Sequence, residues 1–301
     1  MTRRAPPPPK LPRRLTVLDM ALFGLVLAAV VFVAWRVNSV LVYNWDWSRV
    51  LGFVARIDAE TGQWVSNLLL QGLFTTIRLA FWGTILAAII GLVMGYWRTC
   101  DTLALRIISR TYVELIRNIP PLVFIFIFYF FISSQLFPAL GMDNIDRNSP
   151  WVDNAFFRFA FGEPALFTNF MSGLICLALF EAAYITEIVR AGIQSIDKGQ
   201  WEAGRAIGLS RSNLLRDIIF PQAIRKILPP LAGQFITLIK DSAIISLISV
   251  QELTFLATEV AATTGKTFET WILVAAMYFA LCYLFAFVFA RLERRAGRST
   301  R

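Results

Sequence analysis

The sequence predicts an all-α, polytopic membrane protein with about six transmembrane helices and both termini in the cytoplasm. Three observations carry that expectation. Apolar residues fill 57% of the 301 positions and charged ones only 16%, against about 25% in an ordinary soluble domain. Six apolar stretches approach the ~20 residues that cross a ~30 Å hydrocarbon core. The basic residues lie in short runs between those stretches, so the net charge of +9 reflects membrane topology and not a basic face for nucleic acid.

The composition also excludes several chemistries. Cys100, Cys176 and Cys282 are far apart and there is no histidine. A disulfide scaffold, a histidine-ligated metal and histidine acid/base catalysis are therefore not expected. No nucleophile and base stand in a recognisable constellation, so no catalytic residue, metal or cofactor is assigned.

In chain order, residues 1–16, "MTRRAPPPPKLPRRLT", are basic and Pro-rich with no periodicity that could pack, and read as a disordered cytoplasmic tail. Residues 17–37 form a first span. A cleaved signal peptide is the alternative, but the stretch exceeds the usual h-region of about 7–15 residues and lacks a small-residue cleavage site; the likeness of "PRRL" to a twin-arginine signal is faint. Residues 38–71 form a periplasmic segment. The further spans run Gly72 to Trp97, Tyr112 to Phe137, Phe167 to Arg190, Ile227 to Val250 and Trp271 to Ala290, and a cytoplasmic tail closes the chain at 293–301.

Short loops rich in Lys and Arg stay in the cytoplasm. With the N-terminus inside, the inner segments 1–16, 98–111, 190–226 and 291–301 hold 5, 3, 7 and 5 basic residues. The outer segments 38–71, 138–166 and 251–269 hold 2, 2 and 1, and this bias fixes the expected orientation.

One cytoplasmic stretch is long and polar: "GQWEAGRAIGLSRSNLLRDIIFPQAIRKILPP", residues 199–230. Gln200 to Ile207 favours a short helix, and Gly208 suits the left-handed residue past its end. Ser210 offers an N-cap for a second helix that places Leu214, Leu215, Ile218 and Ile219 on one side, and Pro221 ends or kinks it. The expected unit is a compact two-helix knob, and an amphipathic hairpin lying on lipid is the other reading of the same pattern.

The stretch "EAGRAIGLSRSNLLRDIIFP" resembles the EAA motif of ABC importer permeases. Glu202, Ala203, Gly208, Ile218 and Pro221 stand at the motif's spacing, while Gly204 replaces its second alanine and Phe220 its leucine. Gly204 is expected to loosen the helix by about 0.5–1 kcal/mol. The segments "GLFTTIRLAFWGTILAAIIGLVMG", "YVELIRNIPPLVFIFIFYF", "EAAYITEIVRAGIQSIDKGQWEAG" and "PQAIRKILPPLAGQFITLIKDSAIISLISVQEL" are similar to the polar amino acid uptake branch of that family, over roughly 72–290.

The resemblance implies a five-helix type I importer core at 72–292, preceded by an extra N-terminal helix. It implies a coupling loop at 199–221 that docks on a cytoplasmic ABC ATPase dimer, with Glu202, Ala203, Gly208, Leu214, Ile218 and Pro221 as its residues. Leu214, Leu215 and Ile218 are expected as apolar anchors, oriented by Arg211, Arg216 and Glu202 at the polar rim. A periplasmic amino-acid-binding protein, a second permease copy or sister permease, and membrane lipid complete the implied partners. The implied substrate is a polar amino acid.

Ionisable groups inside spans cost about 2.5–3.5 kcal/mol each at a helix centre and are functional candidates by default. Arg78, Glu181, Glu187, Lys240 and Asp241 qualify, with Glu187 and Arg190 near the cytoplasmic end read as solvated and structural. Lys240 and Asp241 either pair locally, pair with Glu181 or Glu187, or line a transport path. In "ELIRNIPPL", residues 114–122, Glu114, Arg117 and Asn118 precede Pro120 and Pro121. This reads either as a broken helix bordering a path or as a proline helix start. Gly91 and Gly95 form a GxxxG pair suited to close helix packing.

"ATTGKT", residues 262–267, imitates the end of a phosphate-binding loop, but Val260 stands where the motif requires glycine. ATP hydrolysis must therefore come from another chain. A self-contained secondary transporter, the competing class, would show inverted internal repeats, and none is evident.

Overall fold

The computed structural model describes residues 16–40, 43–141, 152 and 154–298. Most of the predicted tail 1–16, and the outer-loop acids Asp143, Asp146 and Asp153, lie outside those residues. The chain divides into an N-terminal unit ending at Trp45 and a second unit from Asp46 onward. The first unit is the helix α1, Val17–Val40, apolar on all sides, as a lipid-facing helix is.

The second unit begins with α2 (Trp47–Leu51) and a two-stranded antiparallel hairpin, β1 (Ala55–Ile57) and β2 (Trp64–Ser66). Helices follow: α3 (Leu68–Trp97), α4 (Leu103–Asn118), α5 (Pro121–Ala139), α6 (Ala155–Phe161), α7 (Phe167–Gln194), α8 (Lys198–Ala206), α9 (Arg211–Ile248), α10 (Leu253–Thr264) and α11 (Thr267–Arg298). Among the described residues, five segments are long and apolar enough to cross a membrane: α3, α5, α7 with α6 before it, α9 and α11.

The most enclosed of these is the α7 segment, with 72% of its apolar window buried against 28% or less for the others. The glycines of α3 let it approach closely. A Cβ on Gly91 would lie 2.5 Å from Ile185 Cγ2, and one on Gly95 would lie 2.6 Å from Val189 Cβ. Without a hydrophobic drive between helices in lipid, such close approach supplies the packing. The weak GxxxG signal is thus the contact line between α3 and α7.

Two expected boundaries are corrected. The stretch 98–118 is not loop running into a span: α4 is an amphipathic helix that buries Ser109, Val113 and Ile116. Its chain breaks at Ile119, and Pro121 takes the first helical position of α5, where a missing N–H costs nothing. The polar knob is also not separated from the predicted span Ile227 to Val250, because α9 runs unbroken from Arg211 to Ile248.

Within the second unit, contacts link residues of the predicted inner segments 98–111 and 190–226 at one end and of the predicted outer segments at the other. Arg98 pairs with Glu187 at 3.1 Å, and the Lys226 ammonium donates to the Ser195 carbonyl at 2.7 Å. These contacts gather the ends of α3 and α7 and the start of α9 at one end. At the other, Trp82 Nε1 donates to the Ala160 carbonyl at 2.9 Å, and the Asp46 N–H donates to Glu269 at 2.7 Å.

There too, Glu252 caps α10, its carboxylate accepting the Phe255 N–H at 2.9 Å and the Tyr278 hydroxyl at 2.7 Å. Burial pushes this carboxyl up to about 7 despite those donors. Gly265, with φ +70, stops the same helix. The phosphate-loop look-alike is a helix end.

Candidate functional site

The knob is built by local capping. Asp197 accepts the Gly199 N–H at 2.7 Å and starts α8. At its far end the Gly208 N–H donates to the Arg205 carbonyl at 3.0 Å and the Leu209 N–H to the Gly204 carbonyl at 3.1 Å. This is the paired Schellman pattern, and it needs the φ of +77 that Gly208 adopts. Ser210 Oγ then accepts the Asn213 N–H at 3.3 Å and opens α9.

Pro221 does not end α9. The residues just before it, Leu214–Ile219, form a π turn, and the helix continues through Pro221. The wider turn accommodates a residue that lacks an N–H and whose ring crowds the preceding turn.

The expected apolar anchors face inward. Leu214 is 1% exposed and Leu215 3%, Ile218 is half-buried, and all three pack with Ile185, Val189 and Ile219 beneath the knob. Gly204 explains Leu214: a Cβ on residue 204 would stand 2.3 Å from Leu214 Cδ1. The departure from the EAA pattern therefore seats a leucine against the back of α8. The outward surface is instead Glu202, Ala203, Arg205, Ala206, Ile207 and Gly208. Ile207, 73% exposed, is its only large apolar side chain among the described residues, and sequence reasoning missed it because it falls outside the periodic apolar set.

Arg211 does not stand at an outward rim. It pairs with Asp101 and donates to the Thr99 carbonyl, tying the knob to the α3–α4 turn. Gln222 Nε2 reaches Gln200 Oε1 at 3.2 Å and ties the two knob helices together.

Beside the knob lies a cavity of about 260 Å³ lined by Arg98, Val113, Glu114, Arg117, Asn118 and Glu187. Glu187 holds two arginines: Arg98 at 3.1 Å, and Arg190 through Nε at 2.9 Å and Nη2 at 2.7 Å. The Arg117 guanidinium lies 5.4 Å above the Tyr184 ring, a cation–π distance. Asn118 Nδ2 donates to the Glu114 carbonyl at 2.7 Å and to its carboxylate at 3.2 Å. The sequence-predicted Arg117 and Asn118 thus meet Arg98, which sequence reasoning counted only as loop charge. Pro120 is exposed and does not line this cavity.

Deeper in the bundle Glu181 is fully buried. One of its oxygens accepts from Gln234 Nε2 and the other has no partner among the described residues. The Asp241 carboxylate adds a like charge near the same carboxyl. Of the readings open for Lys240, the structure does not show pairing with an acid: Lys240 is exposed, and among the described residues it forms no ion pair. Adjacent residues in a helix point about 100° apart, so Asp241 turns inward and Lys240 cannot follow. Arg78 lies toward the opposite end from the knob, its Nε donating to the Phe159 carbonyl at 2.7 Å.

Residues 87–298 match the family described as "Binding-protein-dependent transport system inner membrane component". The chain is 32% identical over 228 residues to the glutamine transport system permease protein GlnP of Escherichia coli, covering 76% of this chain and 92% of that one. Among solved structures it resembles an amino acid ABC transporter crystallised with histidines, with a TM-score of 0.61, 32% identity, and coverage of 76% of this chain and 94% of that chain. A methionine ABC transporter, MetNI, in an inward-facing conformation shares the fold at a TM-score of 0.55 and 20% identity, over 76% of this chain and 95% of that chain.

Proposed function

Because the chain belongs to the family of inner membrane components of binding-protein-dependent transport systems, we propose that it is the permease subunit of an ABC importer for polar L-amino acids. In this reading it lies in the bacterial cytoplasmic membrane with both termini inside, and residues 72–292 form the permease domain. A periplasmic binding protein delivers the amino acid, a cytoplasmic ABC ATPase dimer drives alternating access, and a second copy or sister permease completes the channel. The relatives are transport subunits, and this chain's role is likewise transport, with hydrolysis on the partner.

The observation that carries the reading is the knob. Its outer surface is small and polar around one exposed isoleucine, while its inner side is locked onto α7 and α9. A force applied to α8 is passed through Leu214 into α9, and through Arg211 into the α3–α4 turn. Glu202 and Ala203 are proposed to contact the ATPase, with Ile207 entering its groove. Gly208, Leu214, Ile218 and Pro221 hold the knob's shape and its link to α9. The candidate translocation path runs from Arg78 past Glu181 and Asp241 to Arg117 and Asn118, with Lys240 facing a second permease.

The test is ATP-driven uptake by the complex reconstituted with its ATPase and binding protein. Ile207→Glu and Glu202→Ala should abolish stimulation of the ATPase by loaded binding protein while leaving the permease folded. Uptake by this chain alone, indifferent to both substitutions, would falsify the proposal and favour a secondary transporter.

A further inference from the structure

At the end opposite the knob, a second cavity of about 280 Å³ lies between the first turns of α3, the α6–α7 connection, the start of α7 and the α9–α10 turn. It is smaller than the roughly 300–1,000 Å³ sites that take drug-sized ligands, and suits a small metabolite. Arg78 is on its wall. It sits 20 residues before Arg98, hence about 30 Å from the knob-end cavity along the helix. The two polar chambers are separated by a distance like the hydrocarbon thickness.

Arg78 is incompletely used by the protein. Its Nε is committed to the Phe159 carbonyl, but among the described residues it forms no ion pair. The nearby Glu163 carboxylate lies 3.7 Å from Arg158. Gly162, φ +90, keeps the approach open, because a Cβ there would meet Arg78 Nη1 at 3.4 Å. A guanidinium in a spanning helix without a counter-ion is costly, and its planar fork matches a carboxylate. Gln71, Thr75, Asn169 and Gln251 add uncharged polar groups around it, and the rim carries Glu163 together with its partner Arg158, a second cation that favours an anion on this wall. An anion seated on Arg78 with a cationic group a few ångströms away satisfies this wall.

We infer that this cavity is a separate entry site for a small zwitterionic amino acid, whose carboxylate is held by Arg78 and whose ammonium faces Glu163 and the neutral polar rim. The inference rests on the importer reading above and adds a binding step at the end of the bundle away from the ATPase. Arg78 here is a binding residue, and the knob-end groups form a different chamber.

The test uses the reconstituted complex, with Cys100, Cys176 and Cys282 changed to serine and Thr75→Cys as a reporter one turn from Arg78. Labelling is compared between a sulfonate-bearing and a trimethylammonium-bearing thiosulfonate reagent of equal size. The ratio of the two rates cancels any effect of Arg78 on the thiol itself. The anionic reagent should be favoured severalfold, and Arg78→Gln should remove that preference. Trp82→Phe, which breaks the neighbouring tie to the Ala160 carbonyl, should not. An equimolar mixture of free L-amino acids should slow labelling, and the same amino acids as their amides should not. That last comparison needs no Arg78 variant, so it decides the matter even if Arg78→Gln fails to assemble. An unchanged reagent ratio in Arg78→Gln, or equal protection by free acids and amides, overturns the entry site. Uptake in the same vesicles separates the two readings: uptake without protection rejects this site alone, and no uptake rejects the importer.

Discussion

Replacing Gly204 with alanine would restore the family's pattern and by helix propensity alone would stabilise α8 by about 0.5–1 kcal/mol. The structure predicts the opposite sign. The new Cβ would lie 2.3 Å from Leu214 Cδ1, with Leu214 Cγ at 3.4 Å and Ile218 Cδ1 at 3.6 Å behind it. Leu214 is 1% exposed and enclosed by the apolar cluster under the knob, so it has no open space in which to rotate. Overpacking of this kind costs about 1–3 kcal/mol, which leaves a net destabilisation of roughly 0.5–2 kcal/mol once the propensity gain of alanine is set against it.

A double-mutant cycle isolates the contact. Leu214→Ala alone should destabilise by about 2–5 kcal/mol through the cavity it leaves. Adding Gly204→Ala to it should cost less than Gly204→Ala costs in the parent, giving a coupling energy on the order of 1 kcal/mol. The assays are thermal denaturation of the purified complex and its ATPase stimulation by loaded binding protein. A Gly204→Ala protein that is more stable than the parent and equally coupled would refute the seating of Leu214 in this notch.

Other perturbations bear on the rest of the fold. Gly91→Leu or Gly95→Leu would drive a side chain into Ile185 or Val189, already 2.5 and 2.6 Å from a mere Cβ, and should abolish monodisperse protein in size-exclusion chromatography. Glu252 has its folded pKa raised to about 7 from an ordinary 4.5, so between those values the folded state holds a proton that the unfolded state has lost. Stability should therefore fall as pH rises from about 4.5 to 7, and Glu252→Gln should flatten that slope in melting curves taken from pH 5 to 8. Asp101→Asn should change stability by under about 1 kcal/mol, because the ion pair with Arg211 is 79% exposed on the Asp101 side and surface pairs contribute little. Gly208→Ala should destabilise the knob by about 1–2 kcal/mol, since its φ of +77 is a left-handed conformation, and should lower ATPase stimulation with little change in expression.

Much of the fold was legible in the sequence because the physical signals are local. Bilayer thickness sets the length of an apolar run, so the sequence marks the five membrane-length segments seen among the described residues, though one of them begins at Pro121 and not at Tyr112. Gly208 and Ser210 announce a helix stop and start by their backbone preferences, so the knob was found. Basic residues between apolar runs grouped the segments that the structure brings to one end. What could not be read was which face of each helix meets which neighbour. Leu214 and Leu215 looked like anchors for a partner, yet they fill a notch left by Gly204 and the floor made by Ile185 and Val189. Lys240 and Asp241 admitted a local pair, a pair with Glu181 or Glu187, or a path lining, and only the packing of α9 on α7 brings Asp241 near Glu181 while Lys240 stays exposed. Arg78, Arg98 and Arg117 are charges of unknown neighbourhood until α3, α4 and α7 assemble. The sequence by itself determined the long apolar spans of the second unit and the stop and start of the knob, since each depends on a few consecutive residues. The tertiary structure alone decided which side chains are buried and which chambers exist, because burial and cavity shape arise from contacts between segments distant in sequence.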